Sequence, residues 1–415
     1  AFIIKSLIDL KTLEDSLNIL INRHESLRTS FELKENNLYF TVQPLNQVKS
    51  KVDIFDIEEQ SILSRIKESS ELRFDLSKAP ILHSQLFNIK EGGHVLFLMF
   101  HHIVWDATSF DIIKNELNTI YNSLISNKIP KLNNITQNFR DYIELENIFL
   151  NSAEYADSEH FWKSHLEGSL PFLELVEGLS RPSQMKFTGD LFQFQIEKKL
   201  KNELELYAKD RGVSLFNLFL SVFKISLAAL SGIDDIIVGT PINGRPTTEY
   251  DDTTGFFVNT IPIRSKIDLE KDFSTLLNNV RDNLYDCLQH KMVPFEKILR
   301  LSEYQRDSSR TPIYQTLFSF VDNTNTVKDF LGNLTEYVPI NRQSTHTDID
   351  LWLNKHENII NGNIQYYDQI YSSDDIKRLV DLFQKLLMNI VSEKPKELKY
   401  VLPKSKTFHL SSSGE

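Results

Sequence analysis

The sequence predicts an α+β fold, with helices layered on sheets and the chain divided into two lobes of similar construction. Segments with the helical 3.6-residue period alternate with short strand-like runs along all 415 residues. At about 150 residues per domain, that length favours two or three domains. Residues 171–186 carry two prolines and no clear period. We therefore place the boundary there, with one lobe at residues 1–172 and the other at residues 173–415.

The first half of the chain begins with an amphipathic helix, predicted over residues 6–22 from the spacing of its leucines and isoleucines. Residues 94–104, HVLFLMFHHIV, are apolar on both faces until the histidines, which is typical of a central strand. The period then becomes helical, and Thr108 with Asp111 resembles an N-cap and its partner. The other elements predicted here are a hairpin over 34–46, a helix over 57–72, a strand over 81–89 and a helix over 158–166.

The second half has a similar composition and a similar mixture of elements. Its most apolar stretch, residues 215–230, is interrupted by polar residues and is shorter than the ~20 residues that cross a bilayer, so it predicts a buried helix. The other predicted helices cover 199–211, 272–290, 295–301 and 374–391, and the predicted strands cover 235–239, 256–263, 313–322, 347–353 and 360–367.

Composition excludes several classes of function. The net charge of −11 disfavours a nucleic-acid-binding protein, which usually has a basic surplus. The single cysteine, Cys287, excludes an internal disulfide framework and a cysteine-cluster zinc site, and it predicts a reducing, cytoplasmic setting. The sequence contains no GxGxxG, P-loop, GxSxG or HExxH motif, and no segment that predicts a membrane span.

Two adjacent histidines followed by an aspartate form the candidate centre for chemistry. His101 and His102 lie where the central strand is predicted to end, a common place for ligand sites in mixed sheets. Neighbouring side chains on a strand point to opposite faces, so we expect the two imidazoles to have different roles. The same geometry argues against a metal site. The alternative is structural: two buried histidines bound by backbone groups, with Asp106 capping the next helix.

Several segments match, in order, the motifs of one known family. HHIVWDA (101–107) has the form of HHxxxDG, and RHESLRTSF (23–31) has the form of RHExLRTxF. The other matching segments are FDLSKAPILHSQLF before the histidines, and VGTPINGRP, GFFVNTIPIR, HKMVPFEKIL and RTPIYQTLFSF after them. In these motifs and their order, nearly the whole chain resembles a condensation domain of a nonribosomal peptide synthetase.

The resemblance implies two lobes, each like chloramphenicol acetyltransferase, in a V-shaped pseudo-dimer with a central tunnel. An upstream peptidyl or acyl carrier protein and a downstream peptidyl carrier protein present phosphopantetheine-linked thioesters. The downstream amine attacks the upstream thioester, and an amide forms on the downstream carrier. No cofactor of its own is expected, because the thioester stores the driving force. Neighbouring synthetase domains are expected partners, and the isolated domain is expected to be monomeric.

The resemblance also assigns roles to the motif residues. His102 maps to the catalytic residue, and His101 and Asp106 complete the motif. The imidazole of His102 either accepts a proton from the attacking amine or holds that amine by a hydrogen bond. Asp106 is implied to be structural and to pair with an arginine behind His102. Arg28 or Arg23 is the expected partner.

Other motif residues have two interpretations each. Ala107 replaces the family's glycine, so either the local backbone accepts alanine or the substrate or the activity differs. Trp105 either lines the acceptor side or is a buried aromatic. Asn259 and Thr240 either face the tunnel or satisfy strand-end backbone. Arg245 either binds a pantetheine phosphate or forms a structural ion pair.

Three alternative functions remain open from the sequence. In the first, the chain is a non-catalytic module that recruits partners. In the second, it is an ester-forming or substrate-modifying variant of the family. In the third, it is another HxxxD acyltransferase, which uses a free alcohol or amine. The first residues enter an amphipathic pattern directly, and the chain ends in SSSGE, which resembles a linker. We therefore expect either an excised domain or a free-standing enzyme whose carriers come from elsewhere.

Overall fold

The computed structural model describes residues 1–176, 180–324, 329–334, 336–338, 344–392 and 397–402. Its strands are β1 (Phe2–Ile4), β2 (Thr29–Lys34), β3 (Asn37–Val42), β4 (Asp53–Ile57), β5 (Leu82–Ile89), β6 (His94–Phe100), β7 (Asp190–Ile196), β8 (Asp235–Ile242), β9 (Asn259–Lys266), β10 (Thr316–Asp322), β11 (Asp329–Phe330), β12 (Asn333–Leu334), β13 (Glu336–Tyr337), β14 (Ile349–Lys355) and β15 (Ile360–Tyr366). Its α-helices are α1 (Leu10–Arg23), α2 (Ile62–Ser70), α3 (Ala107–Ile125), α4 (Phe139–Leu150), α5 (Ala153–His165), α6 (Lys198–Asp210), α7 (Leu215–Ser231), α8 (Phe273–Gln289), α9 (Phe295–Leu301), α10 (Ser373–Ile390) and α11 (Leu398–Val401).

The mixture of helices and sheets confirms the predicted α+β class, but the chain divides differently from the predicted boundary at residue 172. One compact unit contains Ala1–Leu150, Asn243–Val258 and Thr326–Ile340; the other contains Asn151–Ile242, Asn259–Asn325 and Asn341–Glu415. Helix α5 belongs to the second unit, where the buried Trp162 indole donates to the carbonyl of His290 (3.1 Å). Two later segments return to the first unit through contacts between residues far apart in sequence, which a sequence pattern does not reveal.

The first unit is built on a mixed sheet whose strand order, within the described residues, is β13-β1-β6-β5-β4. Strand β6 lies in the middle, as its two-sided apolar pattern predicts. Leu96 and Phe100 of β6 pack in the cluster formed with α1 and α3. Val95 and Phe97, on the other face, pack with residues of α2. Because both faces of β6 are packed, the position of its last residue, and of the histidines that follow, is fixed by the core.

The second unit contains a sheet with the order β7-β15-β14-β10-β8-β9 within the described residues. Helix α7 is buried along most of its length, as predicted, and packs against α8 and α10. Strands β8, β10, β14 and β15 lie where strands are predicted, whereas β7 and helix α4 of the first unit were not predicted. The strand predicted over 256–263 begins only at Asn259, because residues 243–258 belong to the first unit.

A fully buried lysine lies at the centre of the second unit. Lys224 Nζ, on α7, donates to the carbonyl of Ile263 (2.6 Å) and to the hydroxyl of Ser265 (2.8 Å) on β9. Burial lowers the pKa of this amine to about 7, because the charged form loses its hydration. The amine of Lys224 therefore holds its proton more weakly in the folded chain than in the unfolded chain.

Among the described residues, no single helix is long and apolar enough to cross a membrane. Helices α6 and α7 are long and apolar enough only when taken together, and they are bent by 105° at the break between them.

The low pKa of Lys224 predicts that the second unit gains stability as the pH rises from 7 to 9. The unfolded state binds more protons than the folded state over this range, so the free energy of unfolding increases, by up to ~1.4 kcal/mol per pH unit from this group. Denaturant unfolding at pH 7, 8 and 9 should show this rise in the difference between Cys287→Ala and Cys287→Ala/Lys224→Met, because the Cys287 thiol is coupled to the amine and the remaining groups cancel. A difference that stays constant with pH would contradict the assignment.

Candidate functional site

The candidate site begins where β6 ends. The strand stops at Phe100, and His102–Val104 form a 3-10 turn with His101 as its N-cap. The prediction that both histidines lie on the straight strand is therefore wrong. The reason is local: Nδ1 of His101 accepts the N–H of Ile103 (3.2 Å), which closes the turn immediately after the strand. The turn still gives the two imidazoles different surroundings.

His102 has a defined proton position. Its Nδ1 lies 2.7 Å from the carbonyl oxygen of Trp105. A carbonyl oxygen only accepts hydrogen bonds, so Nδ1 carries the proton and the neutral ring keeps its lone pair on Nε2. The side chain is exposed. Its ring meets that of Phe256 edge to face, with centroids 5.0 Å apart and planes at 85°. The neutral imidazole therefore presents an acceptor nitrogen and is held from two sides.

His101 is half-buried and has a supporting role in this arrangement. Its Nδ1 is used as an acceptor in the turn, and its ring packs edge to face on Phe74 at 5.8 Å. Burial, and secondarily the proximity of His102, lowers the pKa of His101. The ring is therefore held neutral more firmly than a free histidine. Among the described residues, no group of three or more His, Cys, Asp or Glu side chains is placed to bind a metal ion.

The Asp106 carboxylate links three parts of the first unit. Oδ1 accepts the N–H of Ser109 (2.7 Å) and lies 2.8 Å from its hydroxyl, so Asp106 is the N-cap of α3. Oδ2 accepts the backbone N–H of Phe257 (3.1 Å) and a hydrogen bond from Arg245 Nη1 (3.1 Å). The cap predicted at Thr108 is therefore wrong, and the alternative cap at Asp106 is confirmed.

Arg245 is the arginine that pairs with Asp106, and both side chains are at least 95% buried. Its guanidinium also lies over the ring of Phe257, 4.2 Å from the centroid. Its donors reach Tyr250 O, Asn243 Oδ1, Thr253 O, Ser109 Oγ and the Asp106 carboxylate. Of the two interpretations of Arg245, the structure therefore favours the structural ion pair, because the guanidinium donors are already bound within the protein. A phosphate would have to displace these contacts.

Neither Arg23 nor Arg28 pairs with Asp106, so that expectation is wrong. Arg23 binds the carboxylate of Glu116 on α3 (Nε–Oε2 2.9 Å). Arg28 donates to the carbonyl of Gln43 (2.6 Å) on the adjoining hairpin. Both arginines thus have acceptors on elements that pack against their own. Arg23 supports the site by joining α1 to α3, whereas Arg28 joins the turn after α1 to the hairpin.

Glu116 is stabilised as an anion by the last residue of α1 and the residue that follows it. The buried His24 ring contacts its Oε2 through Nε2 (2.8 Å), beside the Arg23 pair. Burial alone would raise the pKa of Glu116, but the hydrogen bonds from His24 and Arg23 outweigh burial and lower it. Arg23 and His24 therefore hold the end of α1 against α3.

Trp105 and Ala107 flank the aspartate, Trp105 in the loop and Ala107 at the start of α3. The Trp105 indole donates to the carbonyl of Phe100 (3.1 Å), and its ring packs on Phe110 at 5.7 Å. Trp105 is half-buried rather than buried, and its carbonyl also orients His102. A place for Trp105 on the acceptor side stays a prediction. Ala107 is the first residue of α3 and has helical backbone, so the position does not require the left-handed conformation that favours glycine. The local backbone accepts the alanine.

Asn259 and Thr240 belong to the second unit. The Asn259 amide donates to the carbonyls of Lys291 (3.0 Å) and Val293 (2.8 Å), and its Oδ1 accepts the N–H of Phe295 (3.1 Å). The Asn259 side chain therefore binds backbone groups at the start of β9, which is the structural one of its two interpretations. The buried hydroxyl oxygen of Thr240 has no hydrogen-bond partner among the described residues. A substrate contact at Thr240 stays a prediction.

Sequence reasoning missed Ser109, Phe256 and Phe257. Ser109 stands three residues after Asp106, the spacing at which an N-cap carboxylate meets a backbone N–H, so that signal was present. Phe256 and Phe257 lie in the GFFVNTIPIR segment, where only Asn259 was singled out. Phe256 contacts the His102 ring and the Phe257 N–H binds Asp106, each about 150 positions away, and no local pattern indicates these contacts.

Removal of the Asp106 carboxylate should destabilise the first unit. Asp106→Ala leaves the Arg245 guanidinium buried and without its anion, which typically costs ~3–5 kcal/mol. Denaturant unfolding should show this loss, and the double variant Asp106→Leu/Arg245→Met should be less destabilised than the sum of the single variants. Lys377→Ala, which breaks an exposed pair with Asp381, should cost less than ~1 kcal/mol and is the control. Wild-type stability of Asp106→Ala would contradict this account.

Comparison with known proteins gives the family. A family model described as "Condensation domain" matches residues 1–407. Gramicidin S synthase 2 of Brevibacillus brevis is 31% identical over 386 residues, which cover 91% of this chain and 8% of that synthase. The chain therefore spans less than a tenth of the length of this relative. The resemblance inferred from the motifs is confirmed by both findings.

Solved structures share the fold at lower sequence identity. The X-domain from teicoplanin biosynthesis has a TM-score of 0.84 at 21% identity, covering 96% of this chain and 91% of that one. The epimerization domain from the third module of tyrocidine synthetase B has a TM-score of 0.78 at 17% identity, covering 94% and 91%. Domains named for different roles thus share this fold, so the fold alone does not give the reaction. The match of the family model over residues 1–407 shows that the chain belongs to the condensation-domain family of nonribosomal peptide synthetases.

Proposed function

We propose that this chain joins a carrier-bound acyl or peptidyl thioester to the amine of a second, carrier-bound aminoacyl thioester. The observation that carries this proposal is the proton arrangement of His102. Its Nδ1–H is bound to the Trp105 carbonyl, so the exposed ring offers Nε2 as a hydrogen-bond acceptor. An acceptor nitrogen in this position suits a reaction whose nucleophile is an amine.

In the proposed reaction, the amine nitrogen attacks the thioester carbonyl carbon and a C–N bond forms. His102 Nε2 accepts the proton that the nitrogen loses, or orients the amine by accepting its hydrogen bond. As the C–S bond breaks, the proton passes to the leaving thiolate, giving an amide and a free thiol. An α-amine has a pKa near 8 and is partly neutral at pH 7, so the hydrogen bond and the proximity of the two thioesters supply much of the acceleration.

The imidazole is suited to this step by its fixed tautomer. Trp105 O accepts from Nδ1 and stabilises the positive charge that develops on the ring when Nε2 takes a proton. Asp106 acts at a distance from the reaction, because its oxygens are bound to Ser109, Phe257 and Arg245. We therefore assign the chemistry to His102 and the support of the loop to Asp106.

Both substrates would come from carrier proteins, upstream and downstream, on phosphopantetheine arms. The reaction balances with the two thioesters alone and calls for no further cofactor. An amide-forming acyltransferase of this kind fits the family to which the chain belongs, and the relative Gramicidin S synthase 2 is named for the synthesis of gramicidin S. Neighbouring synthetase domains would supply the carriers.

The test is a condensation assay with two loaded carrier proteins, read by intact mass spectrometry of each carrier. The wild type should move the donor acyl group onto the acceptor carrier. His102→Ala should lower the rate by about 10²-fold or more, since removal of a positioned proton acceptor typically has this effect. His160→Ala removes an exposed histidine from α5 and should keep the wild-type rate.

Two outcomes would overturn the proposal. Transfer to free amines or alcohols but not to the loaded carrier would indicate a different acyltransferase. Incorporation of deuterium from D₂O into a loaded carrier, without transfer, would indicate chemistry at the α-carbon instead.

A further inference from the structure

We propose that Phe256 is a positioning residue that confines the imidazole of His102. Phe256 is 42% exposed, although it stands between two well-buried neighbours, Gly255 and Phe257. Its ring meets the His102 ring edge to face at 5.0 Å. This inference rests on the proposed function, because it assigns a second holder to the histidine that carries the chemistry.

The backbone that carries Phe256 is fixed on both sides. The hydroxyl of Ser109 accepts the N–H of Gly255 (3.0 Å), and Asp106 Oδ2 accepts the N–H of Phe257 (3.1 Å). A Cβ added at Gly255 would lie 2.3 Å from the Phe139 ring, so the backbone there packs closer than any side chain allows. The Phe256 ring is therefore presented from a backbone that cannot shift easily.

The hydrogen bond to Trp105 O is the only ring-nitrogen bond of His102 in the described part of the chain. The Trp105 ring also lies near the imidazole, at 6.2 Å and a tilt of 43°, but the Phe256 ring at 5.0 Å is the closer of the two. The ring is exposed, so water competes for Nδ1 and the ring can rotate about its Cβ–Cγ bond. The edge-to-face pair restricts the plane of the His102 ring, and a ring pair of this kind favours the paired state by about two- to twelvefold over the unpaired state. Phe256 thereby raises the fraction of time that the ring lies in the plane in which Nδ1 reaches the Trp105 carbonyl, and that hydrogen bond leaves Nε2 as the free acceptor.

Through this contact, Asp106 also affects the orientation of the His102 ring. Its carboxylate binds Phe257 N–H, the adjacent residue carries the ring, and the ring lies against His102. Loss of the carboxylate would release the backbone of residues 255–257 and, with it, the orientation of the imidazole. Phe256 is thus the side chain through which a structural ion pair affects a catalytic ring.

The test combines a tautomer measurement with kinetics. In ¹⁵N-histidine NMR at a pH where His102 is neutral, its signals are identified by their loss in His102→Ala. Wild type and Phe256→Tyr should show the proton on Nδ1, whereas Phe256→Leu should show a mixture with Nε2–H. In the carrier assay, Phe256→Leu should lower kcat about two- to twelvefold with little change in KM, and Phe256→Tyr should restore it.

Phe40→Leu is the matched control, since Phe40 is 40% exposed and lies on β3. It should leave the tautomer and kcat unchanged. A wild-type tautomer in folded Phe256→Leu would overturn the proposal, and so would a raised KM with unchanged kcat, which would mark a substrate contact. If Phe256→Leu does not fold, Phe256→Met replaces it in both measurements. The NMR result does not need a substrate, so it decides this inference even if the wild type forms no amide.

Discussion

The buried ion pair between Asp106 and Arg245 is the interaction on which the candidate site depends. Two charges taken out of water are stabilising only when their hydrogen-bonding capacity is matched. Here the carboxylate caps α3, binds the N–H of Phe257 and meets a guanidinium whose other donors reach backbone carbonyls and polar side chains. Residues 243–258, which come between strands of the second unit in the sequence, are joined to the first unit by this pair.

This arrangement separates the support of the site from its chemistry. The side chains of Asp106 and Arg245 are buried and their polar atoms are hydrogen-bonded, whereas His102 is exposed and keeps Nε2 as an acceptor. His101 closes the turn and is held neutral by burial. The motif therefore combines one residue for proton handling with several that fix its position. A motif match alone does not distinguish these roles, because it records residue types and not their partners.

The sequence was sufficient for what depends on local patterns. It predicted the α+β class, the central position of β6, the buried α7 and the motif around His102. It failed where contacts between residues far apart in the sequence determine the structure. Arg23 and Arg28 of the RHESLRTSF segment were the expected partners, yet they bind Glu116 and Gln43 instead. The true partner of Asp106 is 139 positions away. The end of β6 was misplaced because the side chain of His101, rather than hydrophobicity, closes the turn.

The most direct test of this account is hydrogen exchange in Asp106→Asn, which keeps an oxygen for the helix cap and removes the charge. The account predicts faster amide exchange confined to peptides that cover the start of α3 and residues 250–258, by about 10²-fold or more if the pair is worth ~3 kcal/mol. Peptides from β10 and β14 in the second unit should exchange as in the wild type. Unchanged exchange at residues 250–258, or an equal increase in both units, would contradict the claim that this ion pair organises the site.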